Sequence, residues 1–194
     1  MIKFNHKKNS SLLVLITFLS SFFYWVFIAT KNPNSTPTPQ SFSNNSLSQI
    51  ISGVPRIIDG DTIDINQNRI RLIGIDAPET KQKCLDANYF EYLCGEVSTA
   101  FLKKLIGDKN VECAYEEKDI YHRYLGNCKL GKMNINYEMV KNGMAIIYNL
   151  KDADEELKNL EAQAQNKKLG VWQGAFEEPK QYRKKNRHKQ YNKD

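Results

Sequence analysis

The sequence predicts an α+β fold, a small antiparallel β-barrel with helices interleaved among its strands. Three observations predict it. Two stretches carry the alternating, β-branched pattern of hairpins. Three amphipathic segments each run into a glycine. Both ends of the chain have compositions that set them apart from this body.

The first hairpin covers residues 54–74. Ile57, Ile58, Ile63 and Ile65 flank "DGDT", "NQN" at 66–68 reads as a tight turn, and "RIRL" alternates polar with apolar. The second is formed by "NVECAY" (110–115) and "RYLGNCKL" (123–130), with polar "EEKDIYH" as the loop between. One helix is expected over about 95–106, with Val97, Phe101 and Leu105 on its apolar face and Gly107 as its stop. A second covers about 134–142, capped by Asn134 and closed by Gly143. A third covers about 153–168, with Asp152 as cap, Ala153, Leu157, Leu160 and Ala164 as stripe, and Gly170 as its end.

The flanks are of other kinds. Lys3, His6, Lys7 and Lys8 precede an apolar run over residues 12–29. Residues 1–29 therefore read either as a cleaved export signal or as an uncleaved membrane anchor with the body outside the cytoplasm. Residues 30–49 are rich in Ser, Thr, Asn and Pro and read as a linker. The body is then 50–176, and 177–194 is a basic tail expected to be disordered.

The 194 residues carry a formal net charge of +6, with pI near 9.0. That balance suits an anionic partner such as nucleic acid, acidic lipid or cell-wall polymer, and on charge alone solubility accounts for it equally well. Cys84, Cys94, Cys113 and Cys128 form an even set in a chain with an export signal, which suggests two disulfides. The sequence-local pairing, Cys84 with Cys94 and Cys113 with Cys128, is one of three connectivities, and buried free thiols are the alternative. No C-x-x-C occurs and the three histidines are scattered, which argues against zinc.

Two turns carry acids. "DGDT" supplies Asp59 and Asp61, and "DAPE" supplies Asp76 and Glu79 just past a strand. Crowded carboxylates raise each other's pKa, and a hard divalent cation relieves the repulsion. Ordinary turn chemistry accounts for the same spacing. Arg71 in a strand and Arg123 at a loop edge would suit phosphate, because guanidinium forks match phosphoryl oxygens.

At these residues the chain resembles the staphylococcal nuclease (thermonuclease) family. The matching blocks are "DGDTIDI" (59–65), "RLIGIDAPET" (71–80), "DIYHRYLG" (119–126) and "EAQAQNKKLGVW" (161–172), within roughly residues 52–175. The resemblance implies a five-stranded OB-fold β-barrel with three α-helices. It implies Ca²⁺ held by Asp61, Asp76 and the Ala77 carbonyl, with Asp59 behind them. Glu79 corresponds to the general base, Arg71 and Arg123 to the phosphate-binding arginines, and Tyr121 and Tyr148 to nucleotide-contacting tyrosines. The implied activity is endonucleolytic hydrolysis of DNA and RNA by a monomer. The hairpin between Ile65 and Arg71 is shorter than in the family's staphylococcal members, Ile120 and His122 depart from the third block, and Ile146 replaces a tyrosine. The alternative is a non-catalytic OB-fold module that binds nucleic acid without cutting it. A surface-adhesion role ranks last, because it leaves the acids and arginines unexplained.

Overall fold

The computed structural model describes residues 48–191. The export signal or anchor expected over 1–29 lies outside the described residues, as does nearly all of the expected linker. In chain order the strands are β1 (Gln49–Gly53), β2 (Arg56–Ile57), β3 (Thr62–Ile65), β4 (Asn68–Leu72), β5 (Ile75–Asp76), β6 (Cys84–Leu85), β7 (Glu91–Tyr92), β8 (Val111–Lys118), β9 (Tyr124–Leu130), β10 (Met133–Asn134) and β11 (Ile146–Ile147). The helices are α1 (Cys94–Ile106), α2 (Ile135–Lys141), α3 (Glu155–Asn166) and α4 (Pro179–Tyr191), with a 3₁₀ turn at Gly170–Gln173. Among the described residues no helix is long and apolar enough to cross a membrane.

One sheet runs in the order β1-β8-β9-β4-β3-β2, with β10 added on β9. Its neighbours are antiparallel except β4 and β9, which pair in parallel with Ile70 opposite Tyr124 and Arg71 opposite Leu125. The sheet curls. A Cβ on Gly53 of β1 would meet Ile65 of β3 at 2.8 Å, although β8, β9 and β4 separate the two strands in the ladder. The sheet thus departs from the expected count. Five strands, β1, β3, β4, β8 and β9, are long, and two-residue β2 and β10 extend the sheet to seven. Among the described residues no ladder joins β1 to β2 or β3, so the sheet is a half-barrel.

The inner face holds Ile63, Ile65, Ile70, Leu72, Val111, Cys113 and Cys128, all fully buried. Asn66 and Gln67 both have positive φ, 51° and 68°, the twist that a two-residue hairpin turn requires. The strand β8 reaches Lys118, so Glu116, Glu117 and Lys118 belong to the strand, not to the expected loop.

The helices sit close to their predicted places, with shifted details. The buried side of α1 is Ser98, Leu102 and Ile106, while Val97 faces solvent and Phe101 and Leu105 flank the contact. The serine on that face has a reason: its hydroxyl donates to the Met144 carbonyl at 2.7 Å. Asn134 caps α2 as expected, its side chain accepting from the Tyr137 N–H. The cap of α3 is Asp154, which accepts from the Leu157 N–H at 2.8 Å, not Asp152. The tail expected to be disordered is the fourth helix, α4. Pro179 opens it, a position where the missing N–H costs nothing.

Both disulfides follow the sequence-local pairing, Cys84–Cys94 and Cys113–Cys128. The second spans directly opposed residues of β8 and β9. It closes a loop with a sequence separation of 15, which restricts the unfolded chain by about 3 kcal/mol. Replacing Cys113 and Cys128 together with Ala is expected to lower unfolding stability by about that amount, measured in urea. A stability equal to wild type would show that the bridge adds nothing.

Glu161 is a buried acid on α3 whose carboxylate accepts the Ile147 N–H at 2.8 Å. Burial raises its pKa against that hydrogen bond, and Glu178 adds to the rise. A carboxyl with a raised folded-state pKa favours the fold while protonated. Its contribution is full below the unfolded value and is lost as pH rises through the folded value. Glu161→Gln keeps an acceptor for Ile147 and carries no charge. The variant is therefore expected to gain stability relative to wild type between about pH 4 and about pH 8, read from urea unfolding. An equal difference at both pH values would contradict this.

Candidate active site

The site is built where β3 begins and β4 and β5 end, beside α1. Asp61 and Asp76 are almost fully buried, at 3% and 1% exposure. Arg71 on β4 bridges them, with Nη1 at 2.5 Å from Asp61 Oδ1 and Nη2 at 2.6 Å from Asp76 Oδ1. Strand pairing sets this up. Arg71 lies opposite Thr62 in the β3–β4 ladder, and the Leu72 N–H donates to the Asp61 carbonyl at 2.8 Å. The Asp61 carboxylate also accepts the Ala77 N–H at 2.8 Å and the Thr62 hydroxyl at 3.1 Å. Asp59 accepts the Asp61 N–H at 3.0 Å, so it shapes the turn that presents Asp61.

Helix α1 buttresses both acidic turns. A Cβ on Gly60 would meet the Ser98 Oγ at 2.1 Å. A Cβ on Gly95 would meet the Glu79 carbonyl oxygen at 1.8 Å. The absence of side chains at these two positions lets the helix touch the backbone of both turns. Gln82, fully buried, completes the second turn. Its N–H donates to the Glu79 carbonyl at 2.7 Å and its side-chain oxygen accepts the Glu79 N–H at 3.2 Å. Its amide nitrogen donates to the Glu177 carbonyl at 2.6 Å, tying that turn to the start of α4.

A third arginine enters from α4. Arg183 Nη1 lies 2.9 Å from Asp76 Oδ1 and 2.9 Å from Glu79 Oε1, and Nη2 lies 3.0 Å from Asp76 Oδ2. Sequence reading missed Arg183 because it sits in a run of basic residues that resembles a solvated tail. Proline at position 179 was the available signal that a helix starts there.

The electrostatics show the strain of this crowding. Burial pushes the Asp61 carboxyl up to about 7; Arg71 and the Ala77 N–H oppose that rise, while Asp59 and Asp76 add to it. Burial works against the Arg71 charge, but Asp61 and Asp76 outweigh it and hold the guanidinium above its ordinary value. Arg183 is held up in the same way by Asp76 and Glu79 against its burial. Asp61, Asp76 and Glu79 thus face two guanidinium groups, Arg71 and Arg183.

The acids gathered here, Asp61, Asp76 and Glu79, offer only oxygen atoms as ligands. That chemistry fits a hard divalent cation. In the conformation described, the Asp76 oxygens are turned onto arginines. Among the described residues no three His, Cys, Asp or Glu side chains are grouped as a ready metal site.

The remaining predicted residues, Arg123, Tyr121 and Tyr148, have partners other than Asp61, Asp76 and Glu79. Arg123 precedes β9, one residue before Tyr124, which pairs with Ile70 of β4. Its guanidinium is held by Asp119, with Nε at 2.8 Å and Nη2 at 2.7 Å from Oδ2. Burial of Asp119 is outweighed by the N–H and guanidinium of Arg123 and by the Tyr121 N–H, so its pKa falls. Among the described residues no ion pair joins Arg123 to Asp61, Asp76 or Glu79. Tyr121 is exposed, with Arg123 5.5 Å from its ring centre. Tyr148 is exposed and carries Lys180 of α4 at 5.5 Å from its ring centre. Ile146, which replaces a tyrosine, pairs with Asp76 between β11 and β5.

The chain matches the family described as staphylococcal nuclease homologue over residues 69–174. An uncharacterised endonuclease of Escherichia coli O157:H7 is 38% identical over 127 residues, which span 63% of this chain and 76% of that protein. The thermonuclease of Staphylococcus intermedius is 33% identical over 129 residues, 62% of this chain and 74% of that protein. A succinoglycan biosynthesis protein, ExoI, of Rhizobium meliloti (strain 1021) is 33% identical over 128 residues, 63% of this chain and 64% of that protein.

Proposed function

Because this chain belongs to the family of staphylococcal nuclease homologues, and so to the nucleases, we propose that it is an exported or membrane-anchored, Ca²⁺-dependent endonuclease of DNA and RNA. The observation that carries this reading is the cluster in which Arg71 bridges buried Asp61 and Asp76 while Glu79 lies one arginine away.

In this reading Asp61, Asp76 and the Ala77 carbonyl hold Ca²⁺. Bound there, Ca²⁺ acts as a Lewis acid toward a phosphoryl oxygen. Arg71, whose two Nη atoms here hold Asp61 and Asp76, would turn its fork to a phosphoryl oxygen and balance the charge that grows there. Arg123, once released from Asp119, would supply a second fork to the same phosphate. Glu79 is half-exposed at the rim, where solvent reaches it, and takes the proton of the attacking water. Gln82 and Gly95 hold the backbone that aims it. Tyr121 and Tyr148 present exposed rings on which bases would stack. A monomer holds every group named here.

The test is hydrolysis of single-stranded DNA and RNA by the full chain, with Ca²⁺ and with excess EGTA. Cleavage that EGTA abolishes supports the reading. Tight oligonucleotide binding without products would replace it with a binding module. Intact mass of the exported protein distinguishes a cleaved signal from an anchor.

A further inference from the structure

Arg183 is the one cation in the carboxylate cluster that comes from outside the region matched to the family, which ends at residue 174. Each oxygen of Asp76 meets a guanidinium nitrogen of Arg183, and Glu79 Oε1 meets one as well. The Asp76 lone pairs are ones a cation held by Asp61 and Asp76 would need. A carboxylate oxygen turned onto an N–H fork is not free to turn onto a metal, and the two positive charges repel at such short range.

The helix that delivers Arg183 is fixed independently. Gln82 holds the Glu177 carbonyl, the Tyr182 hydroxyl donates to the Lys81 carbonyl at 3.3 Å, and Pro179 is buried. The guanidinium is therefore present at the cluster at a concentration that dilution does not change. Lys180 of the same helix stands 5.5 Å from the centre of the exposed Tyr148 ring, so α4 also reaches a second candidate substrate contact.

We propose that Arg183, held by Asp76 and Glu79, is an internal competitor for the cation at Asp76, and that it sets the Ca²⁺ concentration at which the site fills. In the cation-free state it compensates Asp76. On filling, it gives up Asp76 and Glu79 and swings to solvent from a helix that stays docked. A competitor of this kind weakens apparent affinity by the fraction of molecules in which it is engaged. This inference rests on the cation site proposed above.

The experiment is calorimetric titration of the full chain with Ca²⁺, in wild type, Arg183→Gln and Arg183→Lys, each alone and combined with Asp76→Asn. Arg183→Gln is expected to bind Ca²⁺ about tenfold more tightly than wild type, and Arg183→Lys to fall between them. Combination with Asp76→Asn is expected to remove most of the binding. If Asp76 matters but Arg183→Gln binds equally or more weakly, Arg183 is a support and not a competitor, and the cation site survives. If Asp76→Asn leaves binding intact, or wild type and Arg183→Gln both fail to bind, the cation site and the competitor role fall together. A second readout needs no folded variant. The guanidinium nuclear magnetic resonance of Arg183 in wild type is expected to shift in step with Ca²⁺ occupancy, and a resonance that stays fixed through saturation overturns the exchange.

Discussion

Replacing Glu79 with Gln is expected to slow cleavage of single-stranded DNA by roughly 10³-fold at saturating substrate, within the range that positioned bases contribute. The amide keeps the size of the side chain and an oxygen that accepts from Arg183, so the turn held by Gln82 and Gly95 stays in place. What is lost is the ability to take a proton. Because Glu79 sits at the rim, more than a third exposed, its ion pair with Arg183 is screened by water. The stability change is expected to stay under about 1 kcal/mol. Single-turnover kinetics beside thermal unfolding separate the two effects. A rate within tenfold of wild type would remove Glu79 as the base.

Replacing Arg71 with Ala has a different signature, because Arg71 is structural and, in the proposed mechanism, chemical as well. Its guanidinium lies between two carboxylates that are almost fully buried. Removing one partner of such a group leaves charge uncompensated, at a cost of about 3–5 kcal/mol. Cleavage is expected to fall by about 10²–10³ as well, since a donor to the developing phosphoryl charge is gone. Arg71→Lys retains the charge but loses the fork, so it is expected to recover part of the stability and little of the rate. Urea unfolding and cleavage rates on both variants test this. An alanine variant as stable as wild type would show that Asp61 and Asp76 do not depend on Arg71.

Much of the body was legible because local rules agreed with the fold. Asn66 takes the left-handed backbone of a tight turn, and Asn134 caps its helix, as their residue types suggest. The pairing of cysteines close in sequence followed the hairpin they staple. The misses have physical causes. Asp154, not Asp152, caps α3, since both are acids near one helix start and only geometry decides which side chain reaches an N–H. Ser98 lies on the buried face of α1 because it meets the Met144 carbonyl and the Gly60 turn, which are contacts between distant segments. Convergence of Asp61, Arg71 and Asp76 was expected from the resemblance and is what the structure places together. Arg123 was expected beside them and is held by Asp119 instead, a local hydrogen-bonding partner that competes for its guanidinium. Arg183 was unreadable because its charge has meaning only once α4 is docked.

The parallel ladder between β4 and β9 carries a consequence for how the molecule is made. Hairpins close locally, and the β3–β4 and β8–β9 pairs need only short stretches of chain. Ile70 meets Tyr124 only after all the intervening chain has been looped out, a high-contact-order step that is entropically late. Arg71 and Arg123 sit on either side of that step. A nascent or half-folded chain therefore holds its hairpins with β4 and β9 still unpaired. In the proposed reading, a site that draws on both arginines therefore arrives with global folding, not with any fragment.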